Sequence, residues 1–526
     1  MTPPITRRGF INLVGRAGGT AAVYETMAAM GLMPVPEAYA GPPELAPRSG
    51  HGTHVAILGA GIAGMTAAFE LARAGYRCTI LEARTRAGGR NWSLRHGDVV
   101  EEIDSRQRCD FAPGAESYLN AGPARIPQQH QALLGYCRQF GVALEPIVNE
   151  NRNAFFQGDQ DFGGKPIRQR QFISSSRGYI AELLAKAVHQ HALDEALSAE
   201  DQERVLVMLR GFGTLDKEDR FKGSARLGYS EWPGAGDEVG TELPPLPLAD
   251  LLKSPYKNFQ LNWSELIDFA PTMLQPKGGM DRIARAFEAR VRPMLRFGTQ
   301  VTAIRRAGAG VRILYRDGAA KHRRALDADI CLCTIPLSVL REIEIDASAE
   351  LRQAIAAPDY SAAVKIGFEA KRRFWEEDEQ IYGGISWTTD DATQIWYPST
   401  DFHGRSGVVL GAYVWGREAQ QRMGALRPAE RIAAALASGV KLHPAYERDL
   451  RHGISVAWGK IPFNRGSWVE WTKQTRAAYD TLIRGEPPIY LAGEHLSHVT
   501  AWQEGAILSA HLVIQMIDAQ VRAKRV

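Results

Sequence analysis

The sequence has little cysteine, no long apolar run and almost no excess of charge of either sign. The cysteines (Cys78, Cys109, Cys137, Cys331 and Cys333) lack the spacing of a metal site, so we expect free thiols and no bound metal. No apolar stretch reaches about 18 residues without a charge, so no membrane-spanning helix is expected. With 63 basic and 59 acidic residues, the formal net charge of +4 does not indicate a nucleic-acid partner.

The remaining composition is that of a soluble globular protein. Hydrophobic residues make up 45% of the chain and charged residues 23%, which are ordinary proportions. A length of 526 residues leaves room for roughly two to four domain-sized units, each with its own core.

The N-terminal segment allows two interpretations. Residues 6–12, TRRGFIN, resemble a twin-arginine export signal, and residues 38–40, AYA, resemble a signal-peptidase site. Arg16 and Glu25 interrupt the apolar region, which favours an amphipathic helix that stays attached. We therefore expect a cytoplasmic protein, and export through the twin-arginine pathway to the periplasm or the medium is the alternative.

The first apolar run of the chain opens a βαβ unit of the kind that binds a nucleotide. Val55–Leu58 is a short strand, and Gly59, Gly61 and Gly64 follow it as G-x-G-x-x-G on the turn into a helix. The first glycine makes the tight turn, the second lets a pyrophosphate approach, and the third lets helix and strand pack closely. Glu82 ends the next strand, where a carboxylate accepts hydrogen bonds from a ribose. The pattern therefore predicts a dinucleotide site, with the phosphates on the helix N-terminus.

Further segments carry a family resemblance. They are GAGIAG, LEARTRAGGR, GPARIP, PKGGMDRI, VKIGFEAKRRFWE, IWYPS and LAGEHLSHVTAWQEGAI. With them the chain resembles the FAD-dependent amine oxidases, and most closely the L-amino acid oxidases, from residue 54 to residue 517. The resemblance implies an α/β fold in which a Rossmann-like FAD-binding domain of the GR2 type is assembled from discontinuous segments. A sheet-rich substrate domain and a helical domain are inserted into it.

The changes of pattern along the chain place these domains. Helical periodicity in GYIAELLAKAVHQHALDEAL marks the helical part, and alternating strands rich in tryptophan mark the substrate-binding part. We predict an N-terminal segment and linker at 1–50, an FAD-binding domain from 51–95, 270–345 and 475–526, a substrate-binding domain from 96–145 and 346–474, and a helical domain at 146–269.

The resemblance also assigns residues to a noncovalently bound FAD. They are Gly59, Gly61, Ala63, Gly64, Glu82, Ala83, Arg84, Gly88, Gly89, Arg90, Val301, Glu494 and Trp502. It implies that Glu82 holds the adenosine ribose, that the backbone of Val301 reaches the adenine and that Glu494 holds the pyrophosphate–ribityl region. Monoamine oxidases attach FAD through a cysteine just before a cage tyrosine, and Ser467 occupies that place here.

Catalytic candidates follow from the same resemblance. Arg125 matches the arginine that binds the substrate carboxylate, which a guanidinium can do bidentately, and Tyr397 matches the tyrosine that assists it. Lys365 matches the lysine that holds a water against flavin N5 and helps the reaction with O2. Trp502 and Trp468 match an aromatic cage around the amine. From the residues alone, Lys365 is equally typical of a lysine at a sheet edge, and Trp468 of a core residue.

The expected activity is oxidative deamination of L-amino acids. A hydride would leave the α-carbon for flavin N5, and the helix that begins at residues 502–505 would stabilise the negative charge near flavin N1. The products would be a 2-oxo acid, ammonia and hydrogen peroxide, with O2 as the oxidant. By resemblance we also expect a homodimer.

Three alternatives stay open at this point. The first is a flavin amino-acid 2-monooxygenase, which forms an amide by oxidative decarboxylation, and no residue separates it from an oxidase. The second is a monoamine or polyamine oxidase, against which Arg125 argues. The third is a flavin-binding protein without catalysis, against which the set of Arg125, Lys365 and Trp502 argues.

Overall fold

The computed structural model describes residues 39, 41–193, 197–318 and 322–524. Residues 1–38, and with them the choice between an export signal and a retained helix, lie outside the described residues. None of the described helices is long and apolar enough to cross a bilayer. All five cysteines are buried free thiols, and the described residues contain no cluster of histidine, cysteine and carboxylate side chains that could hold a metal.

A five-stranded parallel sheet organises the nucleotide-binding part. Its strands, in spatial order, are Leu295–Arg296, Arg77–Leu81, His54–Leu58, Ile330–Cys333 and Ile489–Leu491. The central strand is buried along its whole length, and one of its faces shares a hydrophobic core with Val301, Ile304 and Ile313 of a mostly antiparallel sheet. The predicted strand–glycine–helix–strand unit is confirmed, with its helix at Ile62–Arg73. Strands from three distant parts of the chain share this sheet, while the domain boundaries themselves stay a prediction.

A seven-stranded, mostly antiparallel sheet forms the second layer. Its strands, in order, are Leu450–Ala457, Val364–Ala370, Gly407–Val414, Gln394–Tyr397, Gly384–Thr388, Phe155–Gln157 and Ile167–Arg168. Its two faces belong to different hydrophobic cores. One core takes Val364, Ile366 and Tyr397, and the other takes Trp396, Leu410 and Tyr413. Successive residues of a strand point to opposite faces, so neighbours in the sequence end in different environments.

The segment predicted to be helical is helical only in part. It contains the helices Gln169–His189 and Ala199–Gly213, as expected. It also supplies two strands, Phe155–Gln157 and Ile167–Arg168, to the edge of the seven-stranded sheet, where Phe156 pairs with Trp387. Strands of two or three residues are too short to produce a visible alternation, which is why the sequence does not indicate them.

The other elements surround these two sheets. A four-stranded sheet contains the strands His322–Ala328, Gly310–Asp317, Thr299–Ala307 and Glu344–Ile345, in this spatial order. The other described strands form two-stranded ribbons, which are Ser93–Leu94 with Leu119–Asn120, Val99–Glu101 with Arg106–Arg108, Leu144–Ile147 with Met273–Pro276, Tyr229–Glu231 with Thr241–Glu242, and Asp359–Ser361 with Trp468–Glu470. Within the described ranges, the remaining α-helices are Gln131–Phe140, Leu248–Lys253, Phe259–Asn262, Asp281–Val291, Leu337–Leu340, Ala349–Ala356, Phe374–Glu377, Arg417–Ala425, Pro428–Val440, Tyr446–Asp449, Arg476–Arg484 and Gln503–Ala523.

A buried ion pair ties the seven-stranded sheet to the N-terminal half of the chain. The side chains of Glu102 and Arg431 are both fully inaccessible to solvent, and the guanidinium donates a hydrogen bond to each carboxylate oxygen. The carboxylate also accepts the backbone N–H of Ala457 at 2.9 Å and the hydroxyl of Ser105 at 3.0 Å. Both charges are therefore compensated inside the core, as burial of a charge requires.

Candidate functional site

A cavity of about 440 Å³ opens at the carboxyl ends of the parallel strands. This is where ligands bind in open α/β sheets. The sequence-predicted residues that line it are Gly59, Gly61, Ala63, Glu82, Ala83, Arg84, Gly88, Gly89, Arg90, Val301, Lys365, Trp468, Glu494 and Trp502. The structure thus brings most of the candidates together. Gly64, Arg125 and Tyr397 are not among the residues that line this cavity.

The glycines leave space where a pyrophosphate would approach. A methyl group on Gly64 would lie 2.1 Å from the carbonyl oxygen of Gly59, so the helix packs against the strand without room for a side chain. Gly59 has φ +104°, which favours glycine. A methyl group on Gly61, in contrast, would meet no atom within 4 Å and would project into the cavity. We call the turn formed by Gly59, Gly61 and Gly64 the nucleotide cradle. Its shape fits a ligand group that contacts the backbone at the N-terminus of the helix.

Glu82 holds the turn around this cradle. One carboxylate oxygen accepts the backbone N–H of Ala60 at 2.8 Å, and the other accepts that of Arg84 at 2.9 Å. The side chain is 5% exposed and lines the cavity. Because a carboxylate has about four acceptor sites, two backbone bonds leave capacity for the hydroxyls of a ribose.

Arg90 and Glu494 join two distant segments at the cavity wall. The guanidinium of Arg90 donates at 2.7 Å to Glu494 and at 2.7 Å to the backbone carbonyl of Ser467. The second oxygen of Glu494 accepts the backbone N–H of Ala501 at 2.9 Å. Glu494 thus fixes the loop that leads to Trp502, in addition to lining the cavity.

Lys365 lies on the cavity side of the seven-stranded sheet. Its ammonium donates to the carbonyls of Asn120 at 3.1 Å and Gly122 at 2.5 Å, and it lies 4.5 Å from the centre of the Tyr413 ring. The side chain is 3% exposed. Burial, assisted by the charge of Arg125, lowers the pKa of Lys365 to about 7. Lys365 is therefore inside the protein at this site and does not reach solvent at a sheet edge.

Arg125 lies beside the cavity, and aromatic side chains surround its guanidinium. Its guanidinium carbon is between 4.6 and 5.8 Å from the ring centres of Trp396, Phe269, Trp263 and Trp502. It donates a hydrogen bond to the side-chain oxygen of Asn149 at 2.8 Å. It forms no salt bridge with any acidic residue that the structure describes, and burial lowers its pKa to about 10.

Tyr397 is in the wrong place for its predicted role. Its hydroxyl contacts Ser386 at 2.7 Å and His443 at 2.6 Å, within the core on the far face of the seven-stranded sheet. The preceding residue, Trp396, is the one that contacts Arg125. Strand alternation therefore turns the Tyr397 hydroxyl away from the site.

Tyr413 is the tyrosine that faces the site. It lines the cavity, and its strand places it directly opposite Lys365 in the sheet. Cross-strand partners share a face, so Tyr413 points to the same side as the lysine. The charge of Arg125 acts on this hydroxyl, although burial dominates and raises its pKa. The sequence contains the alternation AYVW around Tyr413, but it does not contain the strand register that selects its face.

The two tryptophans of the predicted cage both line the cavity. Trp502 also connects the cavity to Arg125, because its ring lies 5.8 Å from the guanidinium and 6.2 Å from Phe269. It immediately precedes the helix Gln503–Ala523, and Gln503 lines the cavity as well. The N-terminus of a 21-residue helix is thus directed at the site and contributes a partial positive charge there.

Known proteins of similar sequence include L-amino acid oxidases. An L-amino-acid oxidase of Siganus canaliculatus is 28% identical over 485 residues, which cover 89% of this chain and 85% of that protein. The flavin-dependent L-tryptophan oxidase RebO of Lentzea aerocolonigenes is 27% identical, with 88% of this chain and 98% of that protein covered.

Solved structures show the same fold. Putrescine oxidase bound to putrescine has a TM-score of 0.59 at 18% identity, covering 89% of this chain and 99% of that one. Cyclohexylamine oxidase from Brevibacterium oxydans IH-35A has a TM-score of 0.58 at 18% identity, covering 90% and 100%. The sequence profile of the flavin containing amine oxidoreductases matches residues 62–515. The chain therefore belongs to the family of flavin-containing amine oxidoreductases.

Proposed function

We propose that this protein is an FAD-dependent L-amino acid oxidase. It converts an L-amino acid, O2 and water into a 2-oxo acid, ammonia and hydrogen peroxide. The observation that carries the proposal is Arg125, a buried guanidinium next to the cavity that forms no salt bridge with a described acidic residue, although the more distant charge of Asp268 acts on it. The relatives named as L-amino-acid oxidase and L-tryptophan oxidase support the same substrate class.

A substrate carboxylate would supply the counter-charge that Arg125 lacks among the described residues. Taking a guanidinium out of water is costly unless an opposite charge or good hydrogen bonds replace the hydration. Aromatic faces and one amide oxygen supply only part of that replacement here. A carboxylate can accept two parallel N–H bonds from the fork, which a simple amine cannot do. The site is therefore suited to amino acids rather than amines.

The residues at the cavity fit FAD. The open space at Gly61 would admit the pyrophosphate, and the spare acceptor capacity of Glu82 would hold the adenosine ribose. Val301 would contact the adenine, and Arg90 with Glu494 would line the middle of the cofactor. When bound, FAD supplies the acceptor for two electrons from the amine carbon and passes them to O2.

The protein's own groups bind and orient the substrate. Arg125 would take the carboxylate, and Tyr413, in place of Tyr397, would donate its hydroxyl to the same group. Trp502 and Trp468 would form the walls that align the amine, because both line the cavity. Lys365 keeps an ionisable amine at the cavity wall, held by two backbone carbonyls.

Product analysis tests the proposed reaction. The purified protein is incubated with each of the common L-amino acids, and 2-oxo acid, ammonia and hydrogen peroxide are quantified together. We expect the three products in equal amounts from the preferred substrates. An amide with loss of carbon dioxide would identify a monooxygenase instead, and turnover of amines alone would identify an amine oxidase.

We predict that the flavin is not covalently attached. None of the described residues that line the cavity is a cysteine or a histidine, and Ser467 uses its hydroxyl to bond the carbonyl of Ser361 at 2.8 Å. Acid precipitation should therefore release yellow FAD into the supernatant. Flavin that stays with the protein pellet would contradict this prediction.

We predict that Lys365→Met slows reoxidation by O2 more than reduction by substrate. With a pKa of about 7, the buried ammonium is present below about pH 7 and lost above it. A fixed positive charge stabilises the negative charge that develops as O2 is reduced. In the wild type, kcat/KM for O2 should thus fall as the pH rises through about 7, and this step should vanish in Lys365→Met. Stopped-flow traces with unchanged reoxidation would reject the role.

A further inference from the structure

A second cavity lies away from the flavin cavity, against the helices Gln169–His189 and Ala199–Gly213. It has a volume of about 480 Å³. The residues that line it are Arg152, Arg170, Ser174, Arg177, Phe212, Gly213, Thr214 and Arg226. None of them lines the flavin cavity. Four of the eight residues are arginines, which makes this the more basic of the two cavities.

Two of the four arginines are paired with carboxylates. Arg152 donates to Glu150 at 2.9 Å, and Arg177 donates to Glu265 at 3.3 Å. These partners neutralise about half of the positive charge around the cavity.

The other two arginines have only neutral partners. Arg170 donates to the side-chain oxygen of Asn153 at 2.9 Å, and Arg226 donates to the backbone carbonyl of Phe212 at 3.0 Å. Neither forms a salt bridge with a carboxylate in the described part of the chain. Two positive charges at this cavity therefore have no carboxylate partner among the described residues.

The arrangement is unfavourable without a ligand. Like charges that converge on one cavity repel each other, and partial burial removes some of the water that would screen them. Burial, together with the charge of Arg152, lowers the pKa of Arg170. Each of the two guanidinium groups is nevertheless held by a hydrogen bond, Arg170 by the side chain of Asn153 and Arg226 by the backbone carbonyl of Phe212. An anion with two negative charges would balance the cavity.

We propose that this cavity binds the phosphate group of a small molecule. A phosphate carries close to two negative charges at neutral pH and offers several acceptor oxygens, which guanidinium groups bind as a fork. Ser174 and Thr214 also line the cavity, and their hydroxyls donate to the backbone carbonyls of Arg226 at 3.2 Å and Gly213 at 2.6 Å. Phe212, a residue that is 45% exposed, lines the cavity with its ring 5.7 Å from the guanidinium of Arg177, and it offers an apolar surface for an organic group attached to the phosphate. A phosphomonoester fits this combination better than inorganic phosphate does.

Phosphate binding to the FAD-loaded protein tests the proposal directly. Line broadening in the 31P NMR spectrum of inorganic phosphate and of phenyl phosphate is titrated at constant ionic strength, with chloride as the balancing anion. Using the loaded protein keeps the pyrophosphate cradle occupied, and its flavin absorbance reports any displacement. The readout does not depend on enzymatic activity.

Four proteins are compared: wild type, Arg170→Gln, Arg226→Gln and the control Arg204→Gln. Arg204 lies on the helix Ala199–Gly213, is largely exposed and pairs with Glu200 and Asp201. Loss of one charge-assisted hydrogen bond should weaken phosphate binding by roughly tenfold or more in each cavity variant. The control should bind as the wild type does. Melting temperatures in chloride check that each variant is folded, and Arg226→Gln, at an exposed position, is the variant least able to disturb the fold.

The outcomes separate the possibilities. Tighter binding of phenyl phosphate than of inorganic phosphate supports an organic phosphate ligand against Phe212, and equal binding of the two would contradict the organic part of the proposal. Unchanged binding in both cavity variants, or no binding by the wild type, would overturn the proposal.

Discussion

Arg125→Met should lower kcat/KM for the best L-amino acid by roughly two to three and a half orders of magnitude. Arg125 is 6% exposed as a residue, and no described carboxylate forms a salt bridge with it. Removing it would leave the substrate carboxylate desolvated without a counter-charge. Breaking one side of a buried pair costs about 3–5 kcal/mol, and each 1.4 kcal/mol is about tenfold in kcat/KM. Steady-state kinetics on the purified variant would measure the loss.

Two controls make this result specific. The flavin content of Arg125→Met should barely change, because Arg125 does not line the nucleotide cradle. The decarboxylated amine of the same substrate does not use the contact, so its turnover should fall much less. Arg125→Lys should give an intermediate loss, since it keeps the charge without the fork. Equal losses for amino acid and amine would mean that Arg125 is structural, and the proposed substrate class would lose its main support.

Arg431→Met should reduce the free energy of unfolding by about 3–5 kcal/mol. The pair with Glu102 is fully buried, and the substitution would leave the carboxylate in the core without its counter-charge. The remaining bonds from Ala457 and Ser105 are too few to replace a bidentate guanidinium. Urea unfolding of the FAD-loaded protein, followed by circular dichroism, would measure the change.

A surface pair and a double variant serve as controls for this result. Arg417 pairs with Glu470 at 2.9 Å, but its side chain is 64% exposed, so Arg417→Met should cost at most about 1 kcal/mol. Glu102→Gln combined with Arg431→Met should be more stable than Arg431→Met alone, because no unpaired charge is then buried. If Arg431→Met costs no more than Arg417→Met, the buried pair does not stabilise the fold as we expect.

The nucleotide cradle was predictable because its conformational requirements involve residues that are close together in the sequence. A tight turn, a close approach to the backbone and a helix N-terminus all require glycine within a few residues, and Gly59, Gly61 and Gly64 satisfy all three. Glu82 follows at the end of the adjacent strand, where parallel pairing brings it back to the turn. The predicted parallel sheet followed from the same short-range pattern.

The tyrosine that faces the cavity was not predictable in this way. Tyr397 and Tyr413 both lie on apolar strands, and each could face either side of the sheet. The register between the strands of Lys365 and Tyr413 puts Tyr413 on the cavity face. The pairing of Trp396 with Leu410 puts Trp396 on that face too, and the next residue, Tyr397, in the opposite core. A shift of one residue exchanges the two faces of a strand, so motif similarity alone could not make this choice.

The sequence by itself determined the family, the glycine cradle with Glu82, and the identity of Arg125 and Lys365 as candidates, because these follow from short motifs. The tertiary structure alone decided which groups surround them. Arg125 meets Asn149 and its ring of aromatic side chains, and Glu102 meets Arg431, only after segments far apart in the chain have packed together. Contacts of this kind depend on the relative placement of whole elements, about which local residue patterns carry no information.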